Sequence, residues 1–257
     1  MTTERVLDVY RQEESFGAAE DLQHALELLA AARRGELGPS LRIYRPRPTV
    51  AFGQRDARLP GFPDAAAACR DLGFEPLVRK AGGRAAAYHG GCLILDHIEP
   101  EADAVTHSLA RFAGFARLLA DALEDAGVPA GVGEIPGEYC PGEYSVHGGT
   151  GPGIKLVGTA QRVVSGAWLF SSVVVLQDSA PLREVLTAAY SALGLEWDPA
   201  TAGAAEDLRP GLTMAEAEAA LLAGYSGYAS LRYRDPGRLV QIAAAGGPAF
   251  PTAAPSR

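Results

Sequence analysis

Cysteine is scarce in this chain. Three residues (Cys69, Cys92 and Cys140) among 257 cannot build a disulfide framework, and their spacing matches no zinc knuckle. Positive charge is also short: 23 Lys and Arg stand against 31 Asp and Glu, a formal net charge of -8. That balance excludes the broad basic face that nucleic-acid binding needs. No run of about 18 apolar residues exists to span a bilayer. The opening MTTERVLDVYRQEES carries charge from its fourth residue, where a signal peptide needs an apolar core. No His/Cys/Asp spacing points to a metal site. These absences lead to the expectation of a reduced, soluble, cytoplasmic chain with no nucleic-acid or membrane partner. What is present is 47% apolar and 21% charged residues, enough to bury one sizeable core.

The pattern along the chain predicts an α+β fold, with mixed or antiparallel sheets packed by helices. Apolar side chains recur at helical spacing over 17–33, and Gly35 and Gly38-Pro39 stop that helix. Two short strands are expected at 41–45 and 48–53, with Pro46 and Pro48 interrupting their pairing. A second helix spans 64–72, and 74–98 reads strand, glycine loop, strand. The longest amphipathic helix covers 105–126, with Leu109, Phe112, Phe115, Leu118, Leu119 and Leu123 on its apolar face. Two β-rich runs follow, IKLVGTAQRVV and GAWLFSSVVVL, joined at Ser165-Gly166. Helices are expected at 181–194 and 213–224, the latter opened by a Thr213–Glu216 capping box. One catalytic domain over 1–240 and a mobile Ala/Gly/Pro-rich tail over 241–257 complete the expected organisation.

Three segments can carry chemistry. The first is Arg79-Lys80-Ala81-Gly82-Gly83-Arg84. Adjacent glycines let a backbone approach a ligand and aim N–H groups at an anion, with three cations beside them; a hairpin turn with solvated charges is the plainer reading. The second is Lys155, inside an apolar strand flanked by Gly153 and Gly158. It can snorkel at an edge, or point into a pocket and stabilise developing negative charge or a neighbouring thiolate. The third is Cys140, in the loop Glu138-Tyr139-Cys140-Pro141-Gly142, where a thiolate would be accessible as a nucleophile. Cys69 and Cys92 read as small buried hydrophobes. His89 and His147 complete no triad.

Taken together, the order RKAGGRAAAYH, then a long helix, then GIKLVGTAQR resembles the lipoate–protein ligase and octanoyltransferase family, whose catalytic fold is shared with biotin protein ligases. The resemblance runs over about residues 5–225 and includes the early strand pair YRPRPTVAFGQ at 44–54. It is similar most of all to the cysteine-dependent octanoyltransferase subgroup, because Cys140 precedes Lys155 by fifteen residues. The matching positions are Arg79, Gly82, Gly83, Arg84 and His89, then Lys155, Gly158, Ala160, Gln161 and Arg162, with Lys80 and Thr159 beside them. Where the family usually places a histidine-glycine pair after the lysine motif, this chain has Leu169-Phe170-Ser171-Ser172.

The resemblance implies transfer of an octanoyl or lipoyl group to a lysine of a lipoyl carrier domain, in 2-oxoacid dehydrogenase subunits or the glycine-cleavage H protein. On the transferase route, acyl carrier protein is the donor, Cys140 carries the acyl group as a thioester, and no cofactor is required. Lys155 then stabilises thiolate and oxyanion, assisted by N–H groups around Gly82 and Gly83, while Arg79, Lys80 and Arg84 hold the donor arm's phosphate. A tunnel lined by Val78, Leu93, Val157 and Leu169 would select the chain, an eight-carbon tail gaining about 5 kcal/mol on burial. Two alternatives stay open. One is an ATP- and Mg-dependent ligase acting through an acyl-adenylate, with Cys140 idle. The other is a catalytically silent binder of acyl groups or carrier domains, suggested by the missing histidine-glycine pair.

Overall fold

The computed structural model describes residues 4–150 and 153–245. In chain order the elements are β1 (Val6–Gln12), α1 (Ala18–Arg33), β2 (Ser40–Tyr44), β3 (Thr49–Phe52), α2 (Phe62–Asp71), β4 (Glu75–Val78), β5 (Ala86–Tyr88), β6 (Cys92–Glu101) and α3 (Ser108–Asp125). Then come β7 (Gly131–Val132), β8 (Val146–Gly148), β9 (Ile154–Val164), β10 (Gly166–Val175), α4 (Ser179–Leu193), α5 (Ala205–Leu208), α6 (Met214–Tyr228), β11 (Ser230–Arg234) and α7 (Gly237–Ala245). An eight-stranded mixed sheet runs β11-β1-β2-β6-β10-β9-β8-β7, and a three-stranded sheet runs β4-β3-β5. The α+β expectation holds.

Local chemistry explains most of this. Pro46 and Pro48 cannot donate to a ladder, so the chain leaves the large sheet after β2 and starts the small sheet at β3. β9 and β10 turn tightly at Gly166, whose φ of 89° suits glycine. Their register with β6 aligns Ala160, Ser171 and Asp96 in one row across three strands. Thr213 caps α6 through the reciprocal bonds of a capping box with Glu216.

Because side chains alternate along a strand, β6 and β10 serve two faces. Leu93, Leu95, Trp168 and Phe170 join one buried cluster with Phe115, Leu119, Leu123 and Tyr225 from α3 and α6. Ile94, Asp96, Ser171 and Val173 look the other way and line a cavity beneath α1 and the small sheet.

Several expectations need correction. Leu109 lies in the first turn of α3, outside the inward stripe, and is 67% exposed. VLDVYRQ, given no element by the sequence pattern, is strand β1, paired in parallel with both β2 and β11. Residues 241–245, expected in the tail, continue α7 with Ala243 buried; residues 246–257 lie outside the described residues. None of the described helices is long and apolar enough to cross a membrane.

Candidate active site

β9 brings Lys155 inward: it is 2% exposed. Its Nζ donates to the carbonyl oxygens of Cys140, at 2.8 Å, and Tyr139, at 3.1 Å. Glu138 Oε2 lies 3.4 Å away, and the Tyr139 ring centroid 5.0 Å away. Burial pushes the Lys155 ammonium below the usual lysine range, while the Glu138 carboxylate pulls it back up. The snorkelling reading is therefore wrong. Lys155 faces the site, although its hydrogen bonds go to the Tyr139 and Cys140 carbonyls rather than to the thiol.

The thiol is held by the double-glycine bend. Cys140 Sγ accepts from the backbone N–H of Arg84 at 3.2 Å and from Arg79 Nη2 at 3.5 Å. Gly83 is required here: it has φ of 101°, and a Cβ on it would lie 2.4 Å from Arg79 Nη2 and 2.9 Å from Cys140 Sγ. Cys140 itself sits at φ 44°, a left-handed conformation that a non-glycine residue keeps only when its surroundings enforce it. Its N–H donates to Tyr190 Oη at 2.8 Å, and that hydroxyl donates to Ala85 O at 3.0 Å.

Two cavities meet at this point. One, of about 390 Å³, is lined by Gly82, Gly83, Cys140, Lys155 and Thr159. The second, of about 240 Å³, runs beneath α1 between Leu22, Leu26, Leu77, Val78 and Leu169. Arg79, Gly158, Ala160 and Val173 line both. Small residues at 158 and 160 leave the passage between them open. Asp96 and Ser171 give the apolar cavity a polar patch, with Ser171 Oγ donating to Asp96 Oδ1 at 2.7 Å.

Not every expected residue arrives. Val78 and Leu169 line the apolar cavity, but Leu93 and Val157 belong to the opposite face's core; strand alternation sends them there. The Arg84 guanidinium is paired with buried Asp56 at 2.8 Å, so only its backbone N–H serves the site. Arg79 turns inward to Arg84 O, at 2.9 Å, and to the thiol. Lys80 lines the apolar cavity, and its carbonyl accepts from Arg162 Nη1 at 2.9 Å. His89 lines neither cavity: its Nδ1 accepts from Gly91 N–H, leaving Nε2 to donate to Asp178 O, each at 2.8 Å. Gln161 lines the Cys140 cavity and accepts from Arg111.

Sequence reasoning missed Glu138, Tyr190 and Asp56. An acidic residue two positions before the cysteine was a visible signal for Glu138; Tyr190, inside an ordinary helical pattern, offered none. Among the described residues no group of three His, Cys, Asp or Glu is placed to hold a metal ion.

Known proteins resemble this chain in sequence and in fold. An octanoyl-GcvH:protein N-octanoyltransferase of Geobacillus kaustophilus is 28% identical over 74% of this chain and 66% of its own length. The enzyme of the same name from Exiguobacterium sp. is 29% identical over 62% of this chain and 52% of its own. The chain thus spans about half to two thirds of the length of these relatives. In fold it is similar to a lipoate-protein ligase A solved with ATP, at TM-score 0.67 and 17% identity, covering 95% of this chain and 94% of that one. It is also similar to the bipartite lipoate protein ligase of Thermoplasma acidophilum, at TM-score 0.66 and 18% identity, covering 94% and 91%. The model of the lipoyl protein ligase A/B catalytic domain matches residues 18–223, from α1 through the bend and the lysine strand into α6, and to that family this chain belongs.

Proposed function

We propose that this protein is a cysteine-dependent acyltransferase that moves an octanoyl or lipoyl group onto a lysine of a lipoyl carrier domain. The observation that carries the reading is the position of Cys140 Sγ. It is bonded by Arg84 N–H and Arg79 in a cavity that shares a wall with an apolar one. The relatives are named for an octanoyl group carried on GcvH, and the T. acidophilum ligase was studied with its E2 lipoyl domain. Both support a carrier-domain substrate.

In the first half-reaction the Cys140 sulfur attacks the acyl carbonyl of the donor and forms a C–S bond. The bond from carbonyl to the donor's nitrogen or sulfur breaks, and the departing group takes the thiol proton. In the second, the acceptor amine attacks the thioester, the C–S bond breaks, and the amine proton returns to sulfur. Arg84 N–H and Arg79 Nη2, which bond the free sulfur, stand next to the carbonyl oxygen once sulfur is acylated and stabilise its developing charge. The acyl tail lies over Gly158 and Ala160 in the apolar cavity.

The donor is better read as an octanoyl-lysine carrier such as GcvH than as a phosphopantetheine arm of acyl carrier protein. Arg84 is committed to Asp56 and Arg79 to the thiol and a carbonyl, so the expected phosphate cradle loses two of its three cations.

The test is incubation with octanoylated GcvH and, separately, with octanoyl acyl carrier protein, followed by intact-mass and peptide analysis. One octanoyl group on Cys140, absent from Cys140→Ser, is the expected result with GcvH. Full ATP-dependent lipoylation by Cys140→Ser would remove the thioester route and leave the ligase; no transfer under any condition would leave a silent binder.

A further inference from the structure

The residue that ties this site together is one the family resemblance does not single out. The Glu138 side chain is 0% exposed. Its Oε1 accepts from Gly142 N–H at 3.0 Å and from Ser145 Oγ at 2.8 Å. Oε2 has no hydrogen-bond partner and lies 3.4 Å from Lys155 Nζ. That ammonium returns to the same loop through the Tyr139 and Cys140 carbonyls. The loop from 138 to 145 is closed around one carboxylate, with the left-handed nucleophile inside the closure.

We propose that Glu138 is a positioning residue of the acyl-transfer centre: one buried carboxylate that holds the Lys155 ammonium and the Cys140 loop as a single unit. The assignment builds on the acyltransferase reading of Cys140. Its physical basis is that neither buried charge is tolerable alone. A carboxylate at 138 places the ammonium, and the ammonium places the Cys140 carbonyl. An amide at 138 could still accept from Gly142 and Ser145, but it could not balance the charge. A methyl group could do neither.

The charged and titratable groups facing Lys155 are Glu138, the Cys140 thiol and the Arg79 guanidinium, with the Tyr139 ring beside it. Burial lowers the affinity of Lys155 for its proton, so the ammonium is lost, as pH rises, below the ordinary lysine value of 10.5. Glu138 opposes that loss. Removing its charge therefore moves the alkaline decline of activity to lower pH.

The experiment compares wild type, Glu138→Gln and Glu138→Ala. It measures octanoyl transfer from GcvH against pH, Cys140 alkylation by iodoacetamide against pH, and thermal unfolding. Glu138→Gln is expected to fold and to lose activity at lower pH than wild type, a change that a loop-stabilising role alone would not produce. Glu138→Ala, where folded, is expected to acylate Cys140 about 100-fold more slowly, the size of effect a misplaced reacting group produces. An unaltered alkaline limb in Glu138→Gln, or wild-type acylation in folded Glu138→Ala, overturns the proposal. If Glu138→Ala does not fold, the Glu138→Gln profile decides. If wild type forms no octanoyl adduct, the acyltransferase reading fails, and the alkylation profiles, which need no acyl donor, still decide the placement of Cys140 by Glu138.

Discussion

The two faces of the large sheet are built from the same strands and do different work. On one, Leu93, Leu95, Trp168 and Phe170 pack against α3 and α6 in a single buried cluster. Even His97 is enclosed there, 4.8 Å from the Phe115 and Trp168 ring centroids. On the other, Ile94, Asp96, Ser171 and Val173 are covered partly by α1 and partly by the small sheet. Two unlike covering layers leave a seam, the cavity between Leu22, Leu26, Leu77 and Val78, which shares Arg79, Gly158, Ala160 and Val173 with the cavity that holds Cys140. Closure by matched helices supplies stability; closure by mismatched layers leaves room for a substrate.

Four experiments would break or sharpen that contrast. The largest effect is expected on the closed face, where Phe115→Ala should cost about 3–5 kcal/mol of stability. Urea unfolding measures the loss, while the folded fraction should still acylate Cys140. If activity fell further than the folded fraction, the two faces would not be separable. Next, on the cavity face, Gly83→Ala puts a Cβ against Arg79 and the thiol. Transfer should drop about 100-fold, which is roughly 2.7 kcal/mol, with a smaller change in the urea midpoint. Third, Ala160→Leu narrows the passage shared by the cavities. Competition between octanoyl and butanoyl donors should shift toward the shorter chain by about 1–3 kcal/mol, and an unchanged ratio would place the acyl tail elsewhere.

The smallest effect is electrostatic. Burial, and then Arg42, push His24 on α1 down to about 4. The unfolded chain therefore takes up this proton first on acidification, so stability is lost as pH falls from about 6.5 toward 4. Comparing urea midpoints at pH 7 and pH 4.5, His24→Gln should lose about 1–2 kcal/mol less than wild type. Equal acid sensitivity would assign the effect to other groups, such as buried His97.

Much of the architecture was legible because it is local. Helical spacing marked α1, α3, α4 and α6, prolines separated β2 from β3, and Thr213 with Glu216 announced a cap that forms as expected. The elements that were missed depend on distant partners: β1 and β11 are neighbours across more than two hundred residues, and neither segment reads as a strand in isolation. The site divides in the same way. Lys155, Cys140, Gly82 and Gly83 were visible as unusual residues in unusual surroundings. Tyr190 was not, because only folding brings α4 beneath the cysteine.

The order of residues alone determined which groups could react: a thiol in an accessible loop, an amine inside an apolar strand, and a glycine pair able to bend. Tertiary structure decided where each one points. It turned the Arg84 side chain to Asp56, gave the thiol a backbone N–H, and sent Leu93 and Val157 away from the apolar cavity. It also enclosed Lys155 with Glu138. The reason is physical: reactivity is a property of a side chain, whereas direction, burial and counter-charge belong to whatever the fold packs against it.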